Sequence, residues 1–196
     1  MSEPVKDPIA LFSAWYRDAQ ASKVKNPNAM TLATATADGR PSARMVLLKE
    51  HSLEGFVFYT NLNSQKSAEL AANPHAALCF YWRDPARQVR VEGPVEPVSD
   101  GDADAYFASR ARGSQIGAWA SDQSKPLASR ALLENRAEEY EAKYPSGEVD
   151  RPPFWSGFRV VPERIEFWTE RDDRMHDRQL FVRAADGSWQ DSWLYP

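Results

Sequence analysis

Arg174, His176 and Arg178 stand two apart in the segment RMHDR. In an extended chain that spacing turns all three side chains to one face. Three cationic or cationisable groups so placed repel one another unless an anion or an electron-rich ring lies before them. A solvated basic edge that wards off strand pairing accounts for the same spacing. The three belong to the stretch 154–178, FWSGFRVVPERIEFWTERDDRMHDR, whose pattern predicts two β-strands joined by the charged turn Arg171-Asp172-Asp173-Arg174. A second constellation has helical spacing. Tyr106, Arg110 and Ser114 follow one another at intervals of four, which lines up a phenol, a guanidinium and a hydroxyl able to hold a phosphate. A surface helix with one packed tyrosine explains those residues as well.

The elements that must position these groups are mostly strands. Asp7-Pro8 reads as an N-cap and first turn, followed by apolar residues at helical spacing through Ala19. The segment MTLATATADGRPSARMVLLKE then alternates around Asp38-Gly39, predicting two antiparallel strands and a tight turn of the primed type. A strand is expected at 56–60, and a short helix capped by Ser64 that stops at Asn73-Pro74. Strands follow at 76–82 and 88–98, joined by Arg83-Asp84-Pro85-Ala86. One helix carries the 106/110/114 line, a short one covers 113–120, and a long one runs from Leu127 to about Tyr144. Leu132, Leu133, Ala137 and Tyr140 are its expected inner face. A last hairpin turns at Asp186-Gly187. This succession predicts a mainly β fold with peripheral helices, an antiparallel barrel rather than a parallel sheet, in a single domain spanning 1–196.

Composition excludes several classes. The chain has 196 residues, 42% of them hydrophobic, and no apolar run of membrane-spanning length. The net charge of −4 argues against broad nucleic-acid or membrane-surface binding. The opening MSEPVKDPIALF has no apolar signal core, so the expected location is cytoplasmic. Cys79 is the only cysteine, expected as a buried structural thiol, and His51, His75 and His176 lie far apart, so no metal site is expected. Dinucleotide, Walker, nucleophile-elbow and zincin motifs are absent. What remains is an excess of Arg, Lys, Ser, Thr, Tyr and Gln at strand ends with seven tryptophans. That pattern suits a cofactor that does the hard chemistry itself, such as a flavin.

RMVLLK at 44–49, FYTN at 58–61, SQK at 64–66, RQVRVEG at 87–93, SRARGSQIGAWAS at 109–121, FWSGFRV at 154–160 and RMHDR at 174–178 stand in this order. As a set they resemble the pyridoxine/pyridoxamine 5′-phosphate oxidase family, from Asp7 to the end of the chain. The resemblance implies an FMN-binding split β-barrel of Greek-key type that works as a homodimer. Two FMN sites would lie at the subunit interface, and the segment from about 154 to 196 would contribute to both dimer and active site. It implies FMN contacts at Arg44, Met45, Val46, Leu47, Leu48 and Lys49, then at Tyr59, Thr60, Gln65 and Lys66. Further FMN contacts fall on Gln88, Gln123, Ser124, Trp168 and Arg178. The substrate phosphate is assigned to Lys49, Tyr106, Arg110 and Ser114, and the pyridine ring to Arg174, Met175 and His176, with Arg174 and His176 as the catalytic pair. The implied reaction is oxidation of pyridoxine or pyridoxamine 5′-phosphate to pyridoxal 5′-phosphate, with oxygen as acceptor and hydrogen peroxide as product.

Departures from the family pattern are Gln65 where Arg is common, Trp193 in place of an Arg near the end, and a start close to the first helix without a longer basic arm. Two rival readings share the residues. One is an FMN oxidase or flavin reductase acting on another substrate on the same fold. The other is a non-catalytic FMN or pyridoxal-phosphate binding protein.

Overall fold

A computed structural model of the chain describes residues 7–196. The expectations about a leader and a basic arm concern residues 1–6 and lie outside the described residues. Helix α1 (Pro8–Ala21) leads into strands β1 (Ala29–Ala35), β2 (Pro41–Leu47), β3 (Glu50–Ser52) and β4 (Gly55–Asn61). Next come α2 (Gln65–Ala72), β5 (His75–Trp82), β6 (Arg87–Pro97), α3 (Asp100–Ser109), α4 (Arg112–Ala120) and α5 (Arg130–Lys143). The chain ends with β7 (Trp155–Val160), β8 (Arg164–Thr169), β9 (Asp177–Arg183) and β10 (Trp189–Trp193).

All strand pairs are antiparallel. The main path runs β10-β9-β8-β6-β5-β1-β2, while β7 joins β4 to the far end of β6. Alternation decides the two faces. Met30 and Leu32 of β1, Leu78 and Phe80 of β5, Val89 and Val91 of β6, and Ile165 and Phe167 of β8 point into one core. Helix α1 closes that core through Phe12, fully buried and edge-on to Phe56 and Phe80 at 4.8 and 5.1 Å. Asp7 caps it as expected, its carboxylate accepting from the Ile9 amide at 2.8 Å.

On the outer face one cross-strand row reads Met45, Thr31, Cys79, Arg90, Glu166 and Leu180. Cys79 is therefore half-buried on this outer row rather than in the core, and burial raises its pKa against the opposing pull of Arg90. Met45, Leu47 and Tyr81 leave apolar surface exposed on the same face.

Five local expectations change. The stretch 154–178 makes two strands and the start of a third, because Pro162 has no amide to offer and the chain crosses there from one side of the barrel to the other. Gly93 permits the crossing: a Cβ at that position would lie 1.9 Å from the Val161 carbonyl oxygen. The alternation of Arg174, His176 and Arg178 on one strand does not form. Asp173 and Arg174 both take left-handed backbone (φ 54° and 60°) in a 3₁₀ turn, and β9 begins only at Asp177.

The helix expected to carry Tyr106, Arg110 and Ser114 is broken at Arg110, whose ψ of 148° is extended. Gln115 stabilises the break, its Nε2 donating at 2.9 Å to the Phe107 carbonyl, which also accepts the Arg110 amide at 3.2 Å. The long helix starts at Arg130 behind the Ser129 cap. Leu132 on its expected inner face is exposed, whereas Ala137 and Tyr140 do pack inward. The turn at 36–40 is not primed. Only Gly39 has positive φ, and its amide donates to the Thr36 carbonyl at 2.9 Å.

Candidate active site

Strands β2 and β4, helix α2, the α3–α4 elbow and the loop after α4 enclose a cleft of about 1020 Å³. One end is cationic. Lys66 projects from the first turn of α2, and its Nζ donates to Thr60 Oγ1 at 3.0 Å, Ser64 Oγ at 3.1 Å and Gln123 Oε1 at 2.9 Å. Ser64 thus occupies the N-cap position but spends its hydroxyl on Lys66 and Ser67 rather than on the helix amides. All three partners of Lys66 are neutral. Burial first, and then the nearby Arg44 cation, push the Lys66 pKa down to about 8, with Glu69 pulling the other way.

Arg44 reaches the same end from β2. It donates to Thr34 Oγ1 at 2.5 Å, Ser42 Oγ at 2.6 Å and Glu69 Oε2 at 3.2 Å. The Glu69 carboxylate is buried, 6% exposed. Burial alone would raise its pKa, but hydrogen bonds from Ser42, Thr34, Gln65 and Arg44 outweigh that and bring it to about 2. Gln65 is held in this network by donating to Glu69 Oε1 at 2.8 Å.

The other end is aromatic and again cationic. Tyr59 stacks on Tyr106 at 4.1 Å and on Trp155 at 5.4 Å. The elbow between α3 and α4 swings the Arg110 guanidinium over Trp155, 4.7 Å from the ring centroid. Its Nη1 is buried with no hydrogen-bond partner, and burial lowers its pKa. Lys49 Nζ stands 5.4 Å from the Tyr106 centroid, and Ser114 lines the cleft from α4. Tyr106, Arg110 and Ser114 therefore meet across a helix break instead of along one helical face.

The sequence-based candidates divide into two groups, with Leu48 in neither. Arg44, Met45, Val46, Leu47, Lys49, Tyr59, Thr60, Gln65, Lys66, Tyr106, Arg110, Ser114, Gln123 and Ser124 line the cleft. Leu48 does not: its side chain is buried in the barrel core. Gln88, Trp168, Arg174, Met175, His176 and Arg178 are also absent from the cleft wall. They gather at the other end of the main sheet, where Gln88 faces Trp168 and Trp168 faces Arg178 across β6, β8 and β9. The His176 ring lies 4.7 Å from that of Trp168, and its Nδ1 accepts the Arg171 amide at 3.2 Å. Of the tryptophans, Trp155 alone lines the cleft.

Two buried carboxylates behind these groups, Glu69 and Glu166, escape sequence reading. Glu166, on β8, pairs with Arg178 Nε at 2.8 Å. Neither carboxylate belongs to a motif. The one available signal for Glu166 is its position between the inward Ile165 and Phe167, which turns a charge outward beside Trp168.

The class the fold and cleft define is structural: an antiparallel split barrel whose cleft pairs an aromatic wall with two cationic ends. Residues 16–144 match the family described as "Pyridoxamine 5′-phosphate oxidase", and residues 155–196 match "Pyridoxine 5′-phosphate oxidase C-terminal dimerisation region". The chain belongs to the pyridoxamine 5′-phosphate oxidase family, an oxidoreductase family. It is 60% identical over 190 residues to a pyridoxine/pyridoxamine 5′-phosphate oxidase of Sphingopyxis alaskensis, covering 97% of this chain and 88% of that protein. It is 58% identical over 196 residues to one of Rhodospirillum rubrum, covering 97% of each. Among solved structures it is similar to PhzG from Burkholderia lata in complex with tetrahydrophenazine-1-carboxylic acid, at TM-score 0.93 and 32% identity over 99% of this chain and 95% of that one. A pyridoxamine 5′-phosphate oxidase-related, FMN binding protein from Nostoc punctiforme shares the fold at TM-score 0.77 and 16% identity, over 95% of this chain and 96% of that one.

Proposed function

We propose that this protein binds FMN and oxidises pyridoxine 5′-phosphate or pyridoxamine 5′-phosphate to pyridoxal 5′-phosphate, working as a homodimer. The observation that carries the reading is the pair of cationic ends in one cleft. Lys66 at one end and Arg110 at the other form no ion pair among the described residues, and Arg110 Nη1 has no partner at all. A buried lysine with neutral hydrogen-bond partners and a half-buried guanidinium with an unpartnered, buried Nη1 call for anions. Two such ends suit two phosphates, one on the cofactor and one on the substrate.

The residues present fit FMN. Arg44 and Lys66, with Thr60, Gln123 and Ser124 beside them, would hold its phosphate end, and Glu69 keeps the Arg44 fork in place. When bound, FMN would supply the two-electron acceptor for oxidation at the 4′ carbon, with oxygen as final acceptor and hydrogen peroxide as product; the amine substrate also consumes water and releases ammonia. Lys49, Arg110 and Ser114 clamp the substrate phosphate, and the Tyr59–Tyr106–Trp155 stack behind them excludes water from that end. Clamping at the phosphate fixes the distance from anchor to reacting carbon, which lowers the entropic barrier.

The pyridine end is assigned to Arg174 and His176 of a second copy. Both lie away from the cleft lined by Arg110, so the cleft of one copy is completed by the sheet end of the other. Exposed Met45, Leu47 and Tyr81 on the outer sheet face, together with the dimerisation-region match, support that pairing. With Nδ1 accepting from the Arg171 amide, neutral His176 carries its proton on Nε2 and presents that nitrogen as a donor to the substrate.

The test is anaerobic: load the protein with FMN, add pyridoxamine 5′-phosphate, and follow the yellow flavin absorbance before and after admitting air. Bleaching, then recovery with pyridoxal 5′-phosphate formed, is expected. Absence of bleaching with both phosphorylated vitamers would overturn the reading. A second reading, oxidation of a different substrate, is favoured by the likeness to PhzG. Comparing pyridoxamine 5′-phosphate with unphosphorylated pyridoxamine separates the two. An Arg110 clamp requires a loss of kcat/KM of about a hundredfold or more without the phosphate, from about 3 kcal/mol of charge-assisted hydrogen bonding.

A further inference from the structure

We propose that Glu166 is a positioning residue for Arg178, and through it for the flavin; this rests on the reading that Arg178 meets the cofactor. Glu166 Oε1 accepts from Arg178 Nε at 2.8 Å and Oε2 from Nη2 at 3.1 Å, a bidentate fork-to-fork pair. The carboxylate is buried at 8% exposure, and its Oε2 also accepts from Arg90 Nη1 at 3.4 Å, so its own rotamer is fixed from the β6 side. A third anchor comes from the segment after β10. The Tyr195 carbonyl accepts from Arg178 Nη1 at 3.0 Å, and the Leu194 amide donates back to the Arg178 carbonyl at 2.9 Å.

A guanidinium has five N–H donors. Three are engaged here, leaving one hydrogen on each terminal nitrogen for a ligand. An arginine on a strand otherwise keeps much rotamer freedom, which any ligand it binds must freeze. Glu166 performs that ordering in advance. It also partly cancels the Arg178 charge, so two roles compete: an orienting fork, or a counter-charge that weakens the cation. They predict opposite shifts.

The experiment is a double-mutant cycle of Glu166→Gln and Arg178→Ala, with FMN dissociation constants from flavin fluorescence quenching and midpoint potentials of the bound flavin. Positioning predicts that Glu166→Gln weakens FMN binding about tenfold, as expected for losing a charge-assisted fork. It also predicts a potential shifted to more negative values, as in Arg178→Ala, and a double variant no weaker than Arg178→Ala alone. A shift of the potential to more positive values would show a counter-charge and overturn the proposal. So would equal losses from Glu166→Gln with and without Arg178, the mark of a general structural role. If Arg178→Ala itself leaves affinity and potential unchanged, the placing of Arg178 at the flavin is wrong, and the proposal falls with it.

Discussion

Lys66 combines burial with three neutral hydrogen-bond partners, and that combination has a measurable consequence. Its folded pKa of about 8 lies below the ordinary 10.5. Its charge therefore costs folded stability below about pH 8, and that cost is relieved as pH rises from there towards 10.5. A phosphate beside Nζ supplies the missing counter-charge and restores the proton. FMN binding at pH 9 should therefore take up protons, measurable by calorimetry in buffers of different ionisation enthalpy. Lys66→Met should abolish the uptake; uptake that persists in this variant would place the phosphate elsewhere.

Glu69 runs the other way. Held at about 2 instead of 4.5, it contributes stability that is fully present above pH 4.5 and is lost as pH falls through 2. Glu69→Ala should cost about 2–3 kcal/mol in urea unfolding at pH 6, because it leaves the half-buried Arg44 without its carboxylate. The deficit should shrink at pH 3, and a pH-independent deficit would mean that packing rather than charge is lost.

At the scale of elements, strands that cover the core on one face were legible because their alternation is local. MTLATATA announces β1 through Met30 and Leu32, both fully buried. The crossing at Val161–Glu163 was not, since it depends on a glycine about seventy residues away. Gly93→Ala should destabilise by about 3 kcal/mol or more, as its Cβ would meet the Val161 carbonyl. An unchanged melting temperature would show that the backbone yields there at little cost.

The α3–α4 elbow was illegible for a similar reason. Neither Arg110 nor Ala111 is a helix breaker, and the break is stabilised by partners beyond it: Gln115 on the Phe107 carbonyl and Trp155 under the guanidinium. Tyr106, Arg110 and Ser114 nonetheless meet at one cleft, because these residues stand close together in the chain whatever the backbone does between them. The left-handed pair at Asp173 and Arg174 carried no glycine to announce it, so the strand alternation drawn through Arg174 and His176 failed where the chain curls.

At the scale of the molecule, the candidate residues fall into two separate groups, which the proposed function joins as half-sites from two copies. The cationic ends and aromatic wall belong to the cleft, while Gln88, Trp168, Arg174, His176 and Arg178 belong to the far sheet end. In the proposed dimer both halves serve the same chemistry and differ only in which copy supplies them, so one chain's spacing could not separate them. Exposed Met45 and Leu47 on the cleft strand β2, and Tyr81 paired with Gln88 at the sheet end, are apolar surface that a second copy would bury.

That arrangement is open to one direct measurement. Chains carrying Arg110→Ala, which disables the cleft, are mixed under reassociating conditions with chains carrying Arg174→Ala, which disables the sheet end, and oxidase activity is compared with that of each variant alone. If every site draws one half from each copy, a mixed dimer holds one site with both defects and one with none. Random pairing should then restore about a quarter of the activity of the unaltered protein. Mixed dimers that form, as shown by differently tagged chains, yet recover nothing would contradict a site shared between two copies.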